Sequence, residues 1–145
     1  NALFALQRFV EALACYEKAE EIEPPRIADL SNKGRTLEAL GWVNEALACY
    51  DRILEIDPQY AVAWIRKGNA LRDASRYEEA VACYDKALES NPRDSRAWLG
   101  KFGALTELRR GNEEIIVCFE NYKKYCALDD IKLPRVPQSR SEIVD

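Results

Sequence analysis

Side chains that could do chemistry are few in this 145-residue chain, and their spacing argues against catalysis. There is no histidine, which removes the commonest general base and the commonest metal ligand. The carboxylate pairs Glu113/Glu114 and Asp129/Asp130 are neighbours in sequence, and neighbours on a helix point in different directions. No partner base, glycine-rich loop or nucleophile motif accompanies them, so they read as solvated surface and the chain as a non-enzyme. Cysteines form the clearest pattern. Cys15, Cys49 and Cys83 stand 34 residues apart, Cys118 follows 35 further on, and Cys126 lies outside the series. If the period marks packed helical units, equivalent positions are on the order of 8–10 Å apart. A disulfide needs Cα atoms within ~7 Å, and a zinc ligand a contact of ~2.3 Å. The spacing therefore predicts small buried apolar residues, with no metal and no cofactor. Free thiols point to a reducing, cytoplasmic setting, and Cys126 is the candidate for reactivity.

Composition agrees with a soluble, folded chain. The chain is 48% hydrophobic and 32% charged, with a net charge of −4. It has neither an apolar run long enough to cross a membrane nor a basic stripe for nucleic acid, so membrane and nucleic-acid partners are not expected. A secretory signal is not legible. Methionine is missing throughout, so the native start is expected to lie upstream or to have been removed.

The elements that must position any site repeat with the same beat. Ala-Cys-Tyr occurs at residues 14–16, 48–50 and 82–84; Pro24, Pro58 and Pro92 keep step. So do Lys33, Lys67 and Lys101, Gly34 and Gly68, and Trp64 and Trp98, with Leu30 one period earlier. In a fourth copy Cys118-Phe119 is displaced by one residue, which places an insertion between Leu105 and Glu113. One copy reads Trp64, Lys67, Gly68, Leu71, Ala80, Tyr84, Ala87, Pro92; another reads Leu30, Lys33, Gly34, Leu37, Ala46, Tyr50, Ile53, Pro58. This pattern resembles the tetratricopeptide repeat family over roughly residues 1–128. Lysine beside the glycine replaces the family's leucine; its methylenes can pack while its amine reaches water.

The resemblance implies an all-α fold, a right-handed α-solenoid of helix-turn-helix hairpins whose first helices line a concave face. The expected units are a partial repeat at 1–26 and repeats at 27–60, 61–94 and 95–128, followed by a non-helical tail at 129–145. In the third unit the helices should run from about Ala61 to Ala74 and from about Tyr77 to Ser90. Pro92 should stop the second helix and pre-set the first turn of the next. The opening residues align with the middle of a first helix, and Phe9, Ala12 and Tyr16 with a second. That incomplete hairpin should expose Leu6, Phe9, Leu13 and Tyr16. Ile115, Phe119 and Tyr122 make the fourth copy larger and mark it as a terminal unit.

Alignment with the family places Ser31, Asn32, Arg35 and Glu38, then Ile65, Arg66, Asn69 and Arg72, then Arg96, Leu99 and Thr106 along the concave face. Asn32, Arg35, Arg66, Asn69, Arg72 and Arg96 are the candidate peptide-binding residues. Asparagine can pair with peptide amides, and arginine can fork onto carboxylates. The partner is thus a protein or peptide with acidic or C-terminal carboxylate groups. Some family members clamp chaperone tails ending in Glu-Glu-Val-Asp. Asn1, Asn32 and Arg66 fall on matching positions, whereas Val62 stands where a lysine belongs and the first-unit lysine would precede Asn1. The chain's own end, Glu142-Ile143-Val144-Asp145, is close to such a tail and is a candidate occupant of its own or a neighbour's groove. Trp42, in a turn, is either a contact anchor or packed on the adjacent turn. The alternative function is structural: homo-oligomerisation through the exposed end or the tail.

Overall fold

The computed structural model describes residues 2–109 and 111–126. The expected tail at 129–145, its last four residues, the Asp129/Asp130 pair and Asn1 lie outside them. Seven helices form among the described residues: α1 (Ala2–Ile22), α2 (Ile27–Ala39), α3 (Val43–Ile56), α4 (Ala61–Asp73), α5 (Tyr77–Ser90), α6 (Ser95–Glu107) and α7 (Asn112–Tyr125). They pack as the sequential pairs α2/α3, α4/α5 and α6/α7, each pair stacked on the next. The helices of the third unit begin and end within a residue of expectation. The turn before α7 is one residue longer than the one before α5, which is where the insertion goes.

The α2/α3 and α4/α5 pairs are each closed by a tyrosine against a glycine. Tyr50 and Tyr84 are fully buried, and a Cβ on Gly34 or Gly68 would come within 2.8 Å of the facing ring. Tyr84 also meets the next unit, because a Cβ on Gly100 would overlap the same ring. Stacking then follows a repeated set of bonds. The indole N–H groups of Trp64 and Trp98 donate to the carbonyls of Pro58 and Pro92, both at 2.9 Å. The prolines therefore act through their carbonyls inside the inter-unit loops. Pro92 lies between Ser90 and Ser95 and does not open the next helix, a correction to the expected role. Lys67 and Lys101 correct another expectation. Their amines do not simply reach water: they pair at 2.6 Å with Asp51 and Asp85 of the preceding unit and lie over Trp64 and Trp98.

The first unit departs from the alignment. Gly41, Ser75 and Arg109 occupy one repeat position and turn the chain with φ of 77°, 60° and 52°. The same position in α1 holds Gln7, whose amide donates to Glu11 one turn on, and the helix runs straight through. A single continuous helix thus stands where two were expected. Its second half packs on the array: Leu13 is buried with Leu30, Leu37 and Tyr50, and Tyr16 rests on the same cluster. These two are not exposed, as had been expected, and Phe9 is half-buried. Leu3, Leu6 and Val10 are exposed, and the Arg8 guanidinium lies over the Phe4 ring.

Candidate functional site

Four of the six candidate residues come together. Arg66, Asn69 and Arg72 from α4 and Arg96 from α6 line one cleft of about 290 Å³, with Val62, Ile65, Leu99 and Gly100 completing its wall. Asn32 and Arg35 are exposed on α2 and lie outside that cleft. The helical period sets the convergence. Residues 62, 65, 66, 69 and 72 fall on one stripe of α4, and 96, 99 and 100 on the matching stripe of α6.

The polar groups are not equally free. Tyr84 donates its hydroxyl to Asn69 Oδ1 at 2.6 Å, so the asparagine's acceptor end is committed and its amide N–H groups remain to donate. Burial pushes the Tyr84 phenol up to about 12, which keeps it a donor. Arg96, expected to fork onto a ligand carboxylate, already forks onto Asp94: Nε and Nη2 donate at 3.0 and 2.7 Å. That contact holds the Asp94 carboxyl below its usual range, and Asp94 also caps α6 by accepting from the Arg96 backbone N–H. Among the described residues, Arg66 and Arg72 make no ion pair within 4 Å. Arg72 reaches across α6, where Gly103 leaves room: a Cβ there would sit 3.3 Å from Nη1.

One repeat earlier the same positions carry different chemistry. Arg35 replaces Asn69, and Glu38 replaces Arg72. A guanidinium cannot accept, so the buried Tyr50 hydroxyl has no hydrogen-bond partner. Glu38 lies close enough for its carboxylate to raise the phenol, after burial, through a hydrogen-bonding approach that falls short of full geometry. Burial raises the Glu38 carboxyl above its ordinary value, with the Tyr50 hydroxyl and then Arg66 acting in the opposite sense. Sequence reasoning missed this orphan hydroxyl. Its signal was the Asn69/Arg35 substitution fifteen residues before each tyrosine. Gly100 was missed too, although a glycine in an otherwise polar row signals close approach.

The other reactive groups are placed differently from expectation in one case. Cys49, Cys83 and Cys118 are buried, and burial pushes the Cys83 and Cys118 thiols to about 11. Cys15 is exposed, because the unbroken α1 folds no antiparallel helix back over it. Cys126 is half-buried at the end of α7. Trp42 is half-exposed and borders a second cleft with Leu13, Leu37 and Cys49. No helix among the described residues is long and apolar enough to cross a membrane.

Comparisons with known proteins place this geometry. Tetratricopeptide repeat models match residues 28–60 and 61–94. No curated protein matches the chain. Among solved structures, MamA from Desulfovibrio magneticus RS-1 superposes with a TM-score of 0.73 at 23% identity, covering 85% of this chain and 70% of that one. A tetratricopeptide repeat protein from Parabacteroides merdae gives 0.73 at 26% identity, over 85% of this chain and 48% of that one. The first such domain of Spaghetti (RPAP3), bound to the HSP90 peptide SRMEEVD, gives 0.67 at 20% identity, over 71% and 81%.

Proposed function

We propose, for a chain whose residues 28–94 are tetratricopeptide repeats, that it holds an acidic peptide segment of a partner protein along the α4/α6 cleft. Repeats of this kind generally mediate protein–protein interactions and are typically non-catalytic. One observation carries the finer reading: Arg66 and Arg72 share the cleft with apolar Val62, Ile65 and Leu99, and neither forms an ion pair within 4 Å with a described residue. An acidic side chain flanked by aliphatic ones matches that lining, and Asn69 can donate to the peptide's carbonyls. The RPAP3 domain, of like fold, holds a peptide rich in acidic residues, which supports the same mode here. Chain organisation as an array over 1–128 with a separate tail belongs to this reading, as does a cytoplasmic setting.

The test is retention of labelled acidic peptides by the wild type and by an Arg66→Glu/Arg72→Glu variant of unchanged helicity. Loss of retention in the variant supports the cleft. Equal retention moves recognition to the other surfaces. A second reading, self-association, is supported by Leu3, Leu6 and Val10, exposed on one face of α1. Sedimentation at several concentrations separates it: a mass that stays monomeric from low to high concentration removes it.

A further inference from the structure

We infer that the groove's ligand is an extended peptide bearing two opposite charges, a basic side chain seated on Glu38 and an acidic one on Arg72. The inference rests on the groove reading above and adds the partner's sequence polarity to it.

Glu38 and Arg72 occupy the same position in successive first helices, α2 and α4; Glu38 lies outside the α4/α6 cleft but close enough to its wall to feel Arg66. Their charges are opposite, and neither forms an ion pair within 4 Å with a described residue. One repeat separates them, at least a helix-packing distance of about 8–10 Å. An extended chain rises about 3.3 Å per residue, so the two anchors are about three residues apart or slightly more. A ligand of one sign would gain at one helix and be repelled at the next.

The surroundings of Glu38 favour a cation there. The carboxylate is half-buried, which penalises its charge. Tyr50 of α3 faces it, Arg66 and Asp73 of α4 act on it from across the groove, and Arg35 acts from its own helix. Arg66 does not close the pair, and Asp73 works against it. A ligand ammonium or guanidinium would supply the missing counter-charge. It would also fix the carboxylate, giving the orphan Tyr50 hydroxyl an acceptor to donate to. At the other anchor, Gly103 leaves Arg72 room to lie across α6, and Asp94 already occupies Arg96, so Arg72 remains open to an acidic group. Between the anchors Asn69 presents only N–H donors, which suits a peptide carbonyl.

The experiment uses a positional-scanning library of nonapeptides, acetylated and amidated so that no terminal charge contributes, against the full chain. Retained peptides should carry Lys or Arg two to four residues from Asp or Glu, in one fixed N-to-C order. Glu38→Gln should erase the basic preference by about tenfold and leave the acidic one, and Arg72→Gln should do the reverse. The double reversal Glu38→Arg/Arg72→Glu should select the opposite order. Thermal melts check that each variant is folded. Acid-only selection, indifferent to Glu38→Gln, overturns the inference while the groove reading stands. If the wild type retains no peptide above the Arg66→Glu/Arg72→Glu variant, both fall together.

Discussion

Removing one oxygen atom from each of two equivalent tyrosines should affect stability in opposite directions. Tyr50 and Tyr84 sit 34 residues apart, both with no exposed surface and each packed against the glycine of its own hairpin. In Tyr84→Phe the ring keeps those contacts and loses the 2.6 Å bond to Asn69. A neutral hydrogen bond is worth about 1 kcal/mol net. Asn69 is only half-buried, so water can replace the lost donor and the loss should stay near 0.5–1.5 kcal/mol, an estimate on the same scale. In Tyr50→Phe no well-formed bond is lost, because the hydroxyl only approaches Glu38. A buried unsatisfied hydroxyl costs about 1–3 kcal/mol, offset in part by the small void its removal leaves. The expected outcome is a change between roughly zero and 2 kcal/mol in favour of the folded state.

Urea unfolding followed by far-UV circular dichroism measures both, with unchanged slopes as the condition for comparing midpoints. The two variants should differ by about 1–3 kcal/mol in the stated order. Equal destabilisation would refute the reasoning. It would mean that Tyr50 bonds to Glu38 in the free protein, and that repeat 2 satisfies its tyrosine by a different acceptor.

Two further outcomes test the packing. Gly68→Ala should destabilise by about 1–3 kcal/mol, since its Cβ would press into the buried Tyr84 ring at 2.8 Å; Gly111→Ala, with nothing within 4 Å, should stay within about 1 kcal/mol of wild type in the same urea assay. At pH 8 an aromatic disulfide reagent should label Cys15 quickly and Cys126 more slowly, while Cys49, Cys83 and Cys118 react only on unfolding; fast labelling of Cys83 would contradict its burial and a thiol near 11.

Periodicity made the fold legible, and exceptions to periodicity hid the rest. The helices of the third unit follow directly from Trp64, Gly68, Ala80 and Tyr84, because each residue type answers one packing demand repeated in the next copy. What was not legible depended on a single residue acting against its row. Gln7, at a position that elsewhere turns with positive φ, lets α1 run on, buries Leu13 and exposes Cys15. Arg96 looked like a free cation, yet Asp94 two residues away takes its fork, a local competition that helix periodicity does not reveal. Asn69 looked like a two-ended amide until Tyr84, fifteen residues on, claimed one end.

The distribution of those exceptions bears on function. Several positions that face a neighbouring helix are the same in the second and third units: Leu37/Leu71, Ala46/Ala80, Cys49/Cys83 and Tyr50/Tyr84 are identical pairs, all buried, while Leu30/Trp64 and Ile53/Ala87 change size but stay apolar. Stacking keeps these rows apolar and closely packed in every copy. The groove rows behave otherwise. Asn32/Arg66/Gly100, Arg35/Asn69/Gly103 and Glu38/Arg72/Thr106 change chemistry at every step along the array. A surface that only needed to be soluble would tolerate that, but it would not leave Tyr50 without its acceptor. Replacing asparagine by Arg35 orphans a buried hydroxyl, and Glu38 adds a half-buried charge beside it. Both changes weaken the folded array on its own and place opposite charges one helix apart. On the groove reading proposed above, that combination suits a charged, directional peptide better than stacking alone.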